Sequence, residues 1–168
     1  MALTPDQAVA VVREMWVPAY VHEHPLTKSV IAAIPAATAD YKPADVARSA
    51  LELAWHIVTA EHRFLNAVAA GAFDLSAPAP PKAPSDVVSW YSAAFAADVE
   101  KLQTLSGEQL LKPIDFRGLF TFPAYAFLLS GLSHTIHHRG QLSTYLRPMG
   151  ARVPAIYGES YDSRQARP

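Results

Sequence analysis

From about Pro43 to Ala70, Val46, Ala50, Leu53, Ile57, Phe64 and Val68 follow the three- and four-residue steps of an amphipathic helix. Gly71 supplies a natural C-terminal stop, since glycine tolerates the left-handed conformation that ends helices. The remaining apolar periodic segments are punctuated mostly at their edges by the chain's 14 prolines, as expected for helices separated by stiff loops. Thr4-Pro5 reads as an N-cap followed by proline at the first helical position. The helix it opens extends to about Ile34, with kinks expected at Pro18 and Pro25 and a stop at Pro35.

Residues 75–84, LSAPAPPKAP, form a proline-rich connector, with too little chain on either side for two domains. Ser85 is expected to cap a third helix ending near Leu105. Residues 106–121 contain Gly107, Pro113 and Gly118 and read as an irregular crossing with one helical turn. A fourth helix spans Phe122 or Pro123 to Arg147, stopped by Pro148 and Gly150. Strand-like alternation is absent, so the expected class is all-α, a four-helix bundle in one domain of 168 residues. An N-terminal helical extension (about 1–20) precedes it, and an irregular tail (about 151–168) packs over the bundle before fraying.

Net charge of −1 and a pI near 6.6 provide no electrostatic footprint for nucleic acid or anionic membrane. The absence of cysteine rules out disulfides, zinc fingers and a thiol nucleophile, leaving histidine and carboxylate as metal ligands. No stretch approaches the ~20 apolar residues of a membrane span. The first residues, interrupted by Arg13 and Glu14, lack the pattern of a signal peptide, so a cytoplasmic location is expected.

The seven histidines fall in three places: His22 and His24; His56 and His62; and His134, His137 and His138. On a helix turning about 100° per residue, His134 and His138 share a face, one turn apart, within reach of a common ion. His137 lies about 100° from His138 and does not join that pair easily. An HxxxH pair alone fits metal binding or hydrogen-bonded structural histidines. Phe127, Gln141 and Tyr145 extend its stripe as a mixed aromatic and polar lining. Gly131 and Gly140, costly in a helix interior, signal either close helix packing or room near a site. His56 sits mid-helix beside Trp55 and fits a core residue equally well. His62, about 240° around from it, reads as a surface or dimer-side residue. His22 and His24 flank a polar patch at Pro25 and read as solvated. Glu61 is either a partner behind a metal ligand or a surface charge. The ExxH pairs of di-iron bundles, HExxH, GxSxG, Walker and GxGxxG motifs are all missing.

Three stretches resemble the DinB/YfiT-like family of metal-binding helical bundles. They are ARSALELAWHIVTAEHRFLNAVAAGAF (47–73), LSHTIHHRGQLSTYLRPMG (132–150) and VPAIYGES (153–160). The block HHRGQLSTYLR is the most specific, and the resemblance runs from about His24 to Ser160. It implies an up-down-down-up four-helix bundle, commonly a homodimer. It further implies one divalent ion, zinc or nickel, held by His56, His134 and His138; imidazole suits both metals. Trp16, Trp90 and Tyr91 are available as apolar contact area for a dimer.

Three neutral imidazoles leave a coordination position open for water or a thiolate. Some members of the family resemble transferases and isomerases that use low-molecular-weight thiols, which implies a thiol S-transferase or detoxifying enzyme acting on a small molecule. Arg139, Gln141, Tyr145 or Arg147 would orient substrate there, although Arg139 and Arg147 also suit a helix C-terminus. The alternatives are a non-catalytic metal-binding stress or accessory module, and a metal-dependent hydrolase with Glu52 or Glu61 as base.

Overall fold

The computed structural model describes residues 3–76 and 78–165. Thr4 caps α1 (Pro5–Val11) as its sequence predicts, its hydroxyl accepting from the Gln7 amide while Gln7 reaches back to the Thr4 amide. A π-helical turn, Val12–Trp16, leads into α2 (Val17–Ala32). This wide turn lies immediately before Pro18, whose missing N–H and bulky ring would disrupt a regular α-helical ladder there. Pro25 is carried inside α2.

The next helix begins later than its apolar spacing suggests. α3 runs Ala50–Ala70, and Val46 is 99% exposed. The start is set by a capping box: Ser49 Oγ accepts from the Glu52 amide (3.2 Å) and Glu52 Oε2 from the Ser49 amide (2.7 Å). Gly71, at φ +75°, closes the helix. α4 (Pro84–Thr104) starts one residue before the expected cap, with Pro84 in its first turn and the Asp86 carboxylate accepting from the Ala83 amide; Ser85 is inside the helix.

The crossing after α4 contains the expected helical turn, α5 (Gly107–Leu111), and then a feature the sequence did not suggest. β1 (Pro113–Phe116) and β2 (Phe120–Pro123) form an antiparallel hairpin, with Ile114 opposite Phe122 and Phe116 opposite Phe120. Four-residue strands are too short to display a readable alternation. Arg117, Gly118 and Leu119 connect the strands, with Arg117 and Gly118 both at positive φ (58° and 70°) and the Leu119 amide donating to Phe116 O. α6 follows at Ala126–Leu146. In the tail, α7 (Tyr161–Gln165) replaces part of the irregular run; the expected fraying falls on residues 166–168, outside the described residues.

The long helices form a four-helix bundle. Glu61 and Asn66 of α3 meet Tyr91 and Lys101 of α4, so these two helices run parallel. His56 and Phe64 of α3 meet His138 and Gly131 of α6, so that pair is antiparallel. Tyr20 and Glu23 of α2 meet Leu128 and Arg139 of α6, running parallel. The order is therefore up-down-down-up, with the long 71–83 connection carrying the chain back between the parallel pair. No helix among the described residues is long and apolar enough to cross a membrane.

Two apolar layers fill the bundle. One holds Ile31, Leu53, Ile57 and Leu146; the other holds Val12, Leu65, Leu102 and Phe127. Between them is a buried polar belt of Glu23, Thr27, Glu61, Asp98, Thr135 and Arg139. The two mid-helix glycines of α6 separate cleanly. A Cβ on Gly131 would sit 2.6 Å from the Tyr20 hydroxyl and 2.8 Å from Phe64 Cβ, whereas one on Gly140 meets nothing within 4 Å. Gly131→Ala is expected to cost about 1–3 kcal/mol by overpacking, and Gly140→Ala to add about 0.5–1 kcal/mol of helix propensity. Urea midpoints moving in opposite directions at unchanged m-value would show it; both moving the same way would contradict this packing.

Candidate metal centre

His56 from α3 and His134 and His138 from α6 converge at the level of the polar belt. One ligand atom from each lies within 4.8 Å of the others. The Nε2 atoms of His56 and His134 are 3.1 Å apart, close to the ~3.3 Å between two nitrogens each about 2.05 Å from a tetrahedral ion. The three rings stand edge to face, with centroids 4.4–4.8 Å apart. His138 Nδ1 lies 2.8 Å from Gln141 Oε1, so Nδ1–H donates to the amide oxygen and Nε2 keeps its lone pair. Burial, followed by nearby positive charge from Arg48, lowers the His56 pKa to about 4; burial and then the neighbouring histidines do the same to His134. Each observation favours neutral, lone-pair-bearing imidazoles. The donor set fits a divalent ion.

His56 and His134 also line a cavity of about 190 Å³. Its walls include Phe64, Phe73 and Phe116, with Arg63 and Arg117 contributing the charge. With His56 and His134 facing this cavity, an ion on the three histidines would have room beside it for a further ligand, the layout of a site with a free coordination position.

The other sequence candidates sort by their contacts. Arg139 is not in the cavity and does not serve the helix end: it is 1% exposed, and Nη1 donates to Glu23 Oε2 at 2.6 Å. Its Nη2 donates to the Tyr157 hydroxyl, which in turn donates to Glu23, so the tail is latched onto the belt. Arg147 pairs with Asp162 of the tail at 3.3 Å. Tyr145 is buried with its ring edge-on to Tyr41, and Gln141 orients His138. Glu52 belongs to the Ser49 cap, and Glu61 accepts from the Tyr91 hydroxyl inside the bundle; neither lines the cavity, so the hydrolase reading lacks its base. Tyr91 is 2% exposed and is therefore unsuited to a dimer contact.

His137 stays out of the cluster. His22 is exposed as expected, but His24 is not solvated: its ring stacks on Phe95 at 3.9 Å, and burial lowers its pKa to about 4. His62 is no plain surface residue either. Its Nδ1 is 2.6 Å from Oδ2 of the buried Asp98, tying α3 to α4. Phe73, Phe116, Arg63 and Arg117 were absent from the sequence candidates: a connector and the hairpin bring Phe73, Phe116 and Arg117 to α3 without any local motif, and Arg63, on α3 itself, reads as an ordinary helix-surface charge.

Burial raises the pKa of Glu61 to about 7, partly opposed by the Tyr91 hydroxyl. An unfolded glutamate gives up its proton near 4.5, while the folded one keeps it to about 7, so the folded state binds more protons between those values. Stability attributable to Glu61 therefore falls as pH rises through that window. The difference in unfolding free energy between Glu61→Gln and the parent chain is expected to grow in the variant's favour by on the order of 3 kcal/mol from pH 4.5 to 7.5. A pH-independent difference would contradict it.

A four-helix bundle carrying three converging imidazoles on two facing helices defines a candidate metal-binding bundle. The chain belongs to the DinB family, whose sequence profile matches residues 19–167. It is 33% identical over 112 residues to the uncharacterized protein YjoA of Bacillus subtilis (strain 168), which spans 66% of this chain and 73% of that protein. The crystal structure of the DinB-like protein YjoA from Bacillus subtilis superposes with a TM-score of 0.71 at 28% identity, covering 86% of this chain and 99% of that one. A DinB-like protein from Bacillus cereus ATCC 10987 gives 0.75 at 26% identity, covering 86% and 97%.

Proposed function

We propose that the protein is a metal-dependent thiol S-transferase with a detoxifying role, its ion (zinc or nickel) held by His56, His134 and His138. The observation that carries this reading is the convergence of three imidazoles, two of them, His56 and His134, at the wall of an aromatic cavity. A divalent ion in that position would supply Lewis acidity, favouring the deprotonated sulfur of a bound thiol at neutral pH. The chain's own residues do the rest. Gln141 holds His138 in the metal-binding tautomer, and burial keeps His56 and His134 unprotonated. Phe64, Phe73 and Phe116 keep water from the sulfur and the electrophile. The active species is proposed to be a homodimer, with Trp16 and Trp90, both partly exposed, as contact area.

The test is turnover of the zinc- or nickel-loaded protein with cysteine, glutathione, bacillithiol or mycothiol and a panel of electrophiles. Activity with one thiol, lost in His134→Ala, is the expected result. Absence of turnover with all four would leave the accessory-module reading in its place.

A further inference from the structure

Arg117 is the sole non-glycine residue at positive φ (58°) among the described residues, at the tip of a hairpin turn where asparagine, aspartate or glycine is the usual occupant. The turn itself is held without its side chain. Asp115 Oδ2 accepts from the Gly118 amide at 2.8 Å, and the Leu119 amide donates to Phe116 O at 3.0 Å. A left-handed arginine costs free energy and contributes nothing to that local bonding, so its reason lies elsewhere. Arg117, exposed at the tip, lines the cavity that His56 and His134 also line.

Arg63 reaches the same cavity from α3. Seven residues after His56 it returns to nearly the same helix face, two turns along. Its Nε is buried and has no acceptor. Neither guanidinium forms an ion pair among the described residues, and no carboxylate lines the cavity. Arg63 has the Asp74 carboxylate within electrostatic reach on the wall of an adjoining pocket, but with no carboxylate in the cavity itself the two cations still give it a positive potential. The walls are apolar and aromatic. Phe73 stands edge-on to Phe64 at 5.6 Å and to Phe116 at 4.9 Å, and Phe64 lies 6.2 Å from the His134 ring. The volume, about 190 Å³, exceeds the ~150 Å³ of a cavity known to hold benzene.

We propose that this slot binds a small aromatic carboxylate, its ring against Phe64, Phe73 and Phe116 and its anionic group held by Arg63 and Arg117. As the identity of the transferase's electrophilic substrate class this rests on the function proposed above; as a binding site it stands on the cavity alone. Arg117 is the specificity-determining residue, delivered by the hairpin, and its backbone strain is the cost of placing a cation at the rim.

The test is calorimetric titration of the full-length protein with phenylacetate, phenylacetamide and acetate, in zinc-loaded and chelated forms. Phenylacetate is expected to bind about tenfold or more tightly than either the neutral amide or the ringless acid, as a charge-assisted guanidinium contact implies. Arg63→Gln and Arg117→Asn should each remove most of the acid-over-amide preference while leaving amide binding unchanged. Asparagine suits positive φ, so Arg117→Asn should also melt at the same or a higher temperature than the parent, which separates lost recognition from lost folding. Equal binding of acid and amide, or a preference that survives both substitutions, would overturn the proposal. So would a preference seen only with zinc bound, since the carboxylate would then be a ligand of the ion. The chelated arm reads the clamp even if the chain takes up no metal; failure of the clamp in a protein that binds zinc removes only the substrate class.

Discussion

Arg139→Ala is expected to destabilise the folded chain by about 3–5 kcal/mol, the range for removing one partner from a buried ion pair. The guanidinium is enclosed by Glu23, Thr27 and Tyr157, and its loss strands the Glu23 carboxylate, 8% exposed, between two apolar layers. Its contacts also join three distant parts of the chain: α2, α6 and the tail. The double variant Arg139→Met, Glu23→Gln should recover much of the loss, because an uncharged pair leaves no buried charge unpaired. Urea unfolding of the single and double variants reads this directly. A single variant within about 1 kcal/mol of the parent would contradict the assignment of Arg139 to the bundle's interior and return it to the candidates for substrate contact.

The second large effect is stabilisation by metal. An ion that binds the folded chain alone, at a thousand times its dissociation constant, adds about 4 kcal/mol, and for a chain of this length each kcal/mol moves Tm by about 2–4 °C. Zinc is therefore expected to raise Tm by about 10 °C, and chelator to reverse it. His134→Ala should abolish the shift, since two imidazoles remain. Gln141→Leu should weaken zinc affinity about 10–100-fold without removing a ligand, because His138 then loses the acceptor that fixes its tautomer. Acidification should reverse zinc binding, yet His56 and His134, with pKa values near 4, compete with protons only well below the ordinary imidazole range.

The helical class, the helix order and the α6 pair were legible because they rest on local periodicity. The HxxxH spacing places His134 and His138 on one face whatever the tertiary structure. His56 is different: by spacing alone it is indistinguishable from a core histidine, and only the resemblance carried by HHRGQLSTYLR joins it to the pair. The start of α3 was readable at Ser49-Ala50-Leu51-Glu52, a capping signature that the apolar run from Val46 obscured. Arg139 shows the opposite limit. Next to a histidine ligand, an arginine suggests substrate binding, and nothing in its own helix reveals that Glu23, 116 residues earlier, lies against it. The hairpin was hidden because its strands have four residues each and its turn carries arginine in place of the usual first residue. The aromatic wall that it completes, with Phe73 from the connector, is purely a product of tertiary packing.

The physical tie between Arg139 and Tyr157 also explains why the RGQL and VPAIYGES blocks belong together. One helix supplies both a metal-facing stripe, through His134 and His138, and an interior stripe, through Arg139. The tail closes over the second stripe, holding the helix that carries the first.

The central claim, a single ion on three histidines, is tested most directly by metal content. The protein purified without chelator, and its His56→Ala and His138→Ala variants, would be compared by elemental analysis, with folding checked by circular dichroism. The expected result is close to one divalent ion per chain in the parent and a large loss in both variants at unchanged helicity. A stoichiometry near one that survives both substitutions would place the ion elsewhere and contradict the account.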